Sequence, residues 1–300
     1  MGKILITGAS GLVGSRLKQL LEEEGHTVHT LGRAKTGGAG SFTWNPAKGT
    51  MDEKALEGVT TIIHLAGAGV AEKRWTDERK KEILDSRVQS TAVLFKYLKK
   101  HPNTVNTLVS ASAVGYYGDC GASIVTEEHT LGEGFLADVC QQWEDGVTKF
   151  ESLGIRTVRC RIGIVLAKDG GALPELARTI PAGIAGYFAK PDLYYPWIHL
   201  DDVCGIMIHA VKTQSVQGAY NTTAPKPLLI KELLQHIVKA KRSHAMLAPV
   251  PPFALKLALG EMSTMLLNSQ RCSADKILKA GYRFRFADID KALKDIYKTK

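Results

Sequence analysis

Lys3-Ile4-Leu5-Ile6-Thr7-Gly8-Ala9-Ser10-Gly11-Leu12-Val13-Gly14 opens the chain and sets its fold. A short apolar strand runs straight into three glycines at every third position. Leu12, Val13, Leu17, Leu20 and Leu21 then recur at helical spacing, up to Gly25 as a stop. A strand that turns at once into a helix leaves unpaired helix N–H groups and the positive end of the helix dipole at the turn. Gly8 and Gly11 allow a tight turn and close approach of backbone to a pyrophosphate, and Gly14 lets the helix pack on the strand. Gly8, Ser10, Gly11, Leu12, Val13 and Gly14 are therefore candidate cofactor-binding residues.

Outward from this turn, strands and helices alternate to about residue 165. Strands are expected at Thr27–Leu31, Thr60–Leu65, Thr107–Ala111 and Arg156–Ile164, with helices at Leu12–Glu24, Asp77–Lys100 and Phe135–Leu153. The alternation predicts an α/β fold, a Rossmann-type doubly wound parallel sheet with a smaller C-terminal substrate-side domain. Residues 1–165, plus about 195–225, form the nucleotide-binding domain; 166–194 and 226–300 form the smaller one. Within the returning part, Asp201 or Asp202 is expected to cap a helix beginning at Val203.

Cofactor choice in such folds rests on the end of the second strand, where an acid would bind the ribose 2′-hydroxyl. That position holds Gly32, followed by Arg33 and Lys35, with no Asp or Glu between Gly25 and Thr50. A guanidinium there suits a 2′-phosphate, so the expected cofactor is NADP(H).

Composition narrows the rest. With 300 residues, 44% of them hydrophobic, the chain can bury a sizeable core. The net charge of +9 is spread in short runs of at most three bases, such as the one that holds Lys80-Lys81, so no nucleic-acid patch is formed. No secretory signal and no membrane-spanning apolar run is visible, and a cytoplasmic protein without membrane partners is expected. Five scattered cysteines with no Cys-x-x-Cys spacing suggest neither disulfides nor a metal site. The partner expected is a small-molecule substrate of unknown identity, and the oligomeric state stays open.

The spacing Thr7-Gly8-x-x-Gly11-x-x-Gly14 resembles the extended short-chain dehydrogenases/reductases. So do His64-Leu65-Ala66-Gly67, similar to a strand-end motif beside the adenine ribose and phosphates, and Ser110-Ala111-Ser112-Ala113, where Ser112 matches the catalytic serine. Arg87-Val88-Gln89-Ser90-Thr91 resembles a helix motif with arginine replacing its asparagine, and Trp197-Ile198-His199-Leu200-Asp201-Asp202-Val203 resembles a late strand–helix motif. Arg74-Trp75-Thr76, Ser86-Arg87, Gly115-Tyr116-Tyr117-Gly118 and Trp143-Glu144 are closer to one atypical branch, epimerase-family proteins of the SDR39U1/YfcH type. The resemblance implies NADP contacts at Gly32, Arg33, Leu65, Ala66, Gly67, Glu82, Arg87 and Ile164.

The larger family relies on a Tyr-x-x-x-Lys pair, in which lysine lowers the pKa of the proton-transferring tyrosine. None of the nine tyrosines has a lysine four residues later, and counting back nine from Glu144 puts Phe135 and Val139 at the two positions. Ser112, Tyr116 and Tyr117 are the remaining catalytic candidates. The expected function is an NADP(H)-binding oxidoreductase or nucleoside-sugar epimerase-like enzyme lacking the usual pair. The alternative is a non-catalytic NADP(H)-binding sensor or scaffold.

Overall fold

A computed structural model of the chain describes residues 2–35, 37–38 and 40–298. They divide into two units. The first comprises Met1–Ser112, Asp138–Cys160 and Cys204–Tyr220.

Its frame is an eight-stranded sheet made of β1 (Lys3–Thr7), β2 (Thr27–Gly32), β3 (Ser41–Asn45), β4 (Thr50–Met51), β5 (Val59–His64), β6 (Thr107–Ala113), β7 (Arg156–Ile162) and β8 (Gly218–Thr222). They lie in the order β8-β7-β6-β5-β1-β2-β3-β4. β1 runs parallel to β2 and β5, β2 to β3, and β5 to β6, whereas β4 joins β3 antiparallel. Ile4–Thr7, Thr61–His64 and Thr107–Ser112 are buried almost without interruption, the pattern of strands covered on both faces. The order reverses between β1 and β5, so this is a doubly wound Rossmann-type sheet whose switch point lies between those strands. The crevice at their carboxyl ends is where such sheets hold ligands.

Helices α1 (Leu12–Glu23), α2 (Asp77–Lys100), α3 (Phe135–Thr148) and α4 (Leu200–Lys212) connect the strands. α2 is terminated by its own sequence. The Thr76 side chain accepts from Arg79 N, Asp77 and Glu78 occupy the first turn, and Lys99 and Lys100 the last. α3 ends at Thr148 rather than Leu153, and the chain tightens into a 3₁₀ turn closed by left-handed Gly154.

The expected strand Arg156–Ile164 is broken at Gly163, where any Cβ would lie 2.0 Å from the Pro196 carbonyl oxygen. α4 begins at Leu200, so Asp201 and Asp202 sit in its first turn and do not cap a helix starting at Val203. Asp202 is wholly buried and accepts from Arg285 N, Phe286 N and the Tyr282 hydroxyl, while Asp201 pairs with Arg285 at 3.1 Å. Their local sequence suits a cap, but the C-terminal segment claims both carboxylates.

The second unit comprises Ala113–Ala137, Arg161–Val203 and Asn221–Lys300. The expected boundaries differ, because 113–137, 161–165, 195–203 and 221–225 join the C-terminal region. Its core gathers Leu166, Tyr195, Trp197, Leu234, Phe286 and Leu293. The helix Ile230–Ala240 buries Ile230, Leu233, Leu234, Ile237 and Val238 on one face, a 3.6-residue spacing. Ile184–Phe188 and Met246–Val250 pair as a two-stranded parallel ladder. Cys140, Cys160, Cys204 and Cys272 are buried thiols and Cys120 is half-buried, with no disulfide among the described residues. Among the same residues, no helix is long and apolar enough to cross a membrane.

Candidate functional site

The glycine turn after β1 separates glycines the chain needs for itself from one it does not. Gly8 has φ +69°, and a Cβ there would lie 2.9 Å from the Leu65 carbonyl. A Cβ on Gly14 would come within 2.3 Å of Gly8 O, so α1 can lie against the turn only with glycine. At Gly11 the added Cβ meets Gly8 O at 3.4 Å, an ordinary contact, and φ is −78°. The chain's own packing therefore gives no reason for Gly11. It is also the N-cap of α1, with no side-chain cap and no acid in the first turn. Ser10 and Gly11 are exposed, and Leu12 and Val13 half-buried.

The end of β5 forms the adjacent wall. Thr7 Oγ1 accepts from Leu65 N at 3.1 Å and Ala66 N at 3.2 Å, and lies 2.7 Å from His64 Nδ1. Ser86 Oγ accepts from Ala68 N, and Arg87 Nη1 donates to Ala68 O at 3.0 Å and Ile83 O at 2.8 Å. The Arg87 guanidinium lies 5.0 Å from the Trp143 ring centroid, and a Cβ on Gly67 would meet its Cζ at 3.0 Å. Burial holds the Arg87 pKa below the ordinary arginine value. Among the described residues no carboxylate pairs with it.

Arg33 is exposed directly after half-buried Gly32, at the end of β2. Glu82 is turned to another task, accepting from Arg79 Nη1 at 2.6 Å, while Arg79 Nη2 holds Glu72 at 3.0 Å and the Gly69 carbonyl. Arg79 thereby ties α2 to the segment after Gly67. Ile164 belongs to the second unit, where it pairs with Trp197 in a parallel ladder.

Of the catalytic candidates, Ser112 lies in the first unit, at the end of β6. Its hydroxyl donates to Glu144 Oε1 of α3 at 2.6 Å, and both side chains are buried. Tyr116 and Tyr117 lie in the second unit. The Tyr117 hydroxyl donates to Asn221 Oδ1 at 2.7 Å and accepts from Arg161 Nη1 at 2.9 Å, so its donor is spent. Burial raises its pKa far above the usual tyrosine range. Tyr116 is half-buried under the Arg161 guanidinium at 3.5 Å, and its hydroxyl has no partner among the described residues.

Three groups escaped sequence reasoning. Glu144 served only as a landmark in a helix, although a carboxylate on an apolar helix face is itself a signal. Arg161 carries no motif. His64 stood inside a recognised motif, yet its partners Thr7 and Thr91 come from distant strands and helices.

Comparison with known proteins agrees with this fold. Residues 4–138 match the NAD dependent epimerase/dehydratase family, and residues 250–296 match a domain of unknown function, DUF1731. A chloroplastic epimerase family SDR39U1 homolog of Arabidopsis thaliana is 32% identical, over 98% of this chain and 86% of that protein. An epimerase family protein of Staphylococcus saprophyticus is 33% identical, over 99% of both. The crystal structure of human epimerase family protein SDR39U1 with NADPH superimposes with a TM-score of 0.86 at 28% identity, over 98% of both chains. The chain belongs to the epimerase family, in its atypical extended short-chain dehydrogenase/reductase branch.

Proposed function

We propose that the chain binds NADP(H) and acts as an oxidoreductase or nucleoside-sugar epimerase-like enzyme without the Tyr-x-x-x-Lys pair. The observation that carries this reading is Gly11, a bare helix N-cap where a side chain would be tolerated by the protein itself but not by a pyrophosphate lying on the backbone. Arg87 supports it, since a half-buried guanidinium that meets carbonyls and no carboxylate keeps a positive charge available to an anion. The residues present thus fit a phosphate-bearing dinucleotide. Gly8, Ser10, Gly11, Leu12, Val13 and Gly14 would hold the pyrophosphate, and Leu65, Ala66, Gly67 and Arg87 the adjoining wall. Gly32 and Arg33 would hold the 2′-phosphate. The human relative bound to NADPH favours the same cofactor. Fluorescence titration tests it: tight binding of NADPH and weak binding of NADH are expected, and equal affinities would overturn the assignment.

Bound NADP(H) would supply hydride transfer. The chain's part is polarity and position. Ser112, its proton committed to Glu144, presents an acceptor lone pair to a substrate hydroxyl. Of the two tyrosines, Tyr116 retains a donor and is the proposed proton donor. The second reading, a non-catalytic NADP(H) sensor or scaffold, is favoured by the spent hydroxyl of Tyr117 together with the missing pair. Oxidation of bound NADPH by a panel of carbonyl compounds separates the two, since a sensor leaves the cofactor reduced.

A further inference from the structure

We propose that His64 is the positioning residue of the dinucleotide cradle, carrying one directed chain of hydrogen bonds from Thr7 to Arg87 and thereby setting affinity for the cofactor. The inference deepens the NADP(H)-binding reading and rests on it.

The direction of the chain comes from counting donors. A threonine hydroxyl has one proton and two lone pairs. Thr7 Oγ1 receives the N–H of Ala66 and the N–H of Leu65, which Leu65 shares with the Thr7 carbonyl. Its own proton is left for His64 Nδ1, 2.7 Å away. The ring nitrogen Nδ1 is therefore the acceptor, and a neutral imidazole then carries its proton on Nε2. Nε2 faces Thr91 Oγ1 at 3.1 Å and Ser90 Oγ at 3.3 Å. Both hydroxyls donate to the Arg87 carbonyl, at 2.8 and 3.0 Å, which leaves their lone pairs open to the histidine proton. From the Thr7 proton onward, the bonds point from β1 through β5 into α2.

Both ends of the chain act on the same short segment. Thr7 draws in the N–H groups of Leu65 and Ala66, whose backbone is what a Cβ on Gly8 would strike. The chain ends on the main-chain carbonyl of Arg87, whose guanidinium holds the Ala68 carbonyl from the other side. His64 is fully buried, and burial with the nearby Arg87 lowers its pKa to about 3. Near neutral pH the ring is uncharged and both its nitrogens are engaged within the protein, which leaves positioning.

The test combines long-range 1H–15N spectra of the histidine rings with NADPH titration and thermal unfolding of His64→Leu, His64→Asn and Thr91→Val. Wild-type His64 is expected as the Nε2–H tautomer, unchanged from about pH 8 to about pH 5. NADPH affinity should fall about tenfold in His64→Leu and Thr91→Val, with partial recovery in His64→Asn, whose amide both accepts and donates. An Nδ1–H or doubly protonated ring overturns the proposal. So do folded variants that bind NADPH as tightly as the wild type, since the histidine would then serve stability alone. Should His64→Leu not fold, Thr91→Val decides the matter. Failure of the wild type to bind NADPH would instead sink the cofactor reading, while the spectra still judge the hydrogen-bond chain.

Discussion

Ser112 Oγ donates to Glu144 Oε1 at 2.6 Å, a buried bond between the end of β6 and the middle of α3. Removing the hydroxyl takes a donor from a carboxylate that water barely reaches. Ser112→Ala is expected to cost about 1–3 kcal/mol in urea unfolding. Glu144→Gln keeps an acceptor for the serine and should cost less. A Ser112→Ala variant as stable as the wild type would show that Glu144 is satisfied without the serine.

The pair Gly11 and Gly14 predicts opposite phenotypes. Gly11→Val should stay folded and lose cofactor binding, because its Cβ finds only Gly8 O at 3.4 Å. Gly14→Ala should lower Tm markedly, because its Cβ would lie 2.3 Å from that oxygen. Unfolding scans and NADPH titration of both variants check the contrast. A folded Gly11→Val that binds NADPH normally would make the turn merely structural.

Arg33→Ala should remove most of the preference for NADPH over NADH. A charge-assisted hydrogen bond is worth about 1.5–3 kcal/mol, so NADPH affinity should fall by about tenfold or more. Affinity for NADH should barely move. A parallel loss for both nucleotides would place Arg33 at a shared phosphate.

Tyr117→Phe should destabilise the protein by about 1–3 kcal/mol. The hydroxyl removed is the acceptor for Arg161 and the donor to Asn221, both buried. Chemical denaturation measures it, and an unchanged midpoint would mean that the hydroxyl bridges nothing of consequence.

Stability should also carry the signature of a buried neutral histidine. His64 has a folded pKa of about 3 against an ordinary 6.5. Between these values the unfolded chain takes up a proton that the folded chain refuses. Stability is therefore complete above about pH 6.5 and falls toward about pH 3, by about 1.4 kcal/mol per unit. His64→Leu should flatten that slope in pH-dependent urea unfolding. An equally steep slope would assign the effect to other groups.

Long periodic segments were legible from residue order. α2 occupies the expected span Asp77–Lys100, since its cap, its charged ends and Pro102 all act within a few residues. β3 and β4 were not anticipated: both are short, and one comes after the glycine-rich stretch around 37–40. Phe42, Thr43 and Trp44 favour a strand, and parallel pairing with β2 fixes β3 as one.

What the sequence determined by itself was the glycine turn, the strand–helix alternation, the acid-free end of β2 and the lack of a Tyr-x-x-x-Lys pair. Each is a matter of spacing along one stretch of chain. Only the tertiary structure decided that Ser112 gives its proton to Glu144, that Tyr117 is spent on Asn221 and Arg161, and that Asp202 serves the C-terminal segment. It also decided that Thr7, His64 and Thr91 share one network. Those partners lie from 27 to more than 100 residues apart. Hydrogen-bond direction depends on which lone pairs remain unfilled once strands and helices have packed, and no local pattern encodes that.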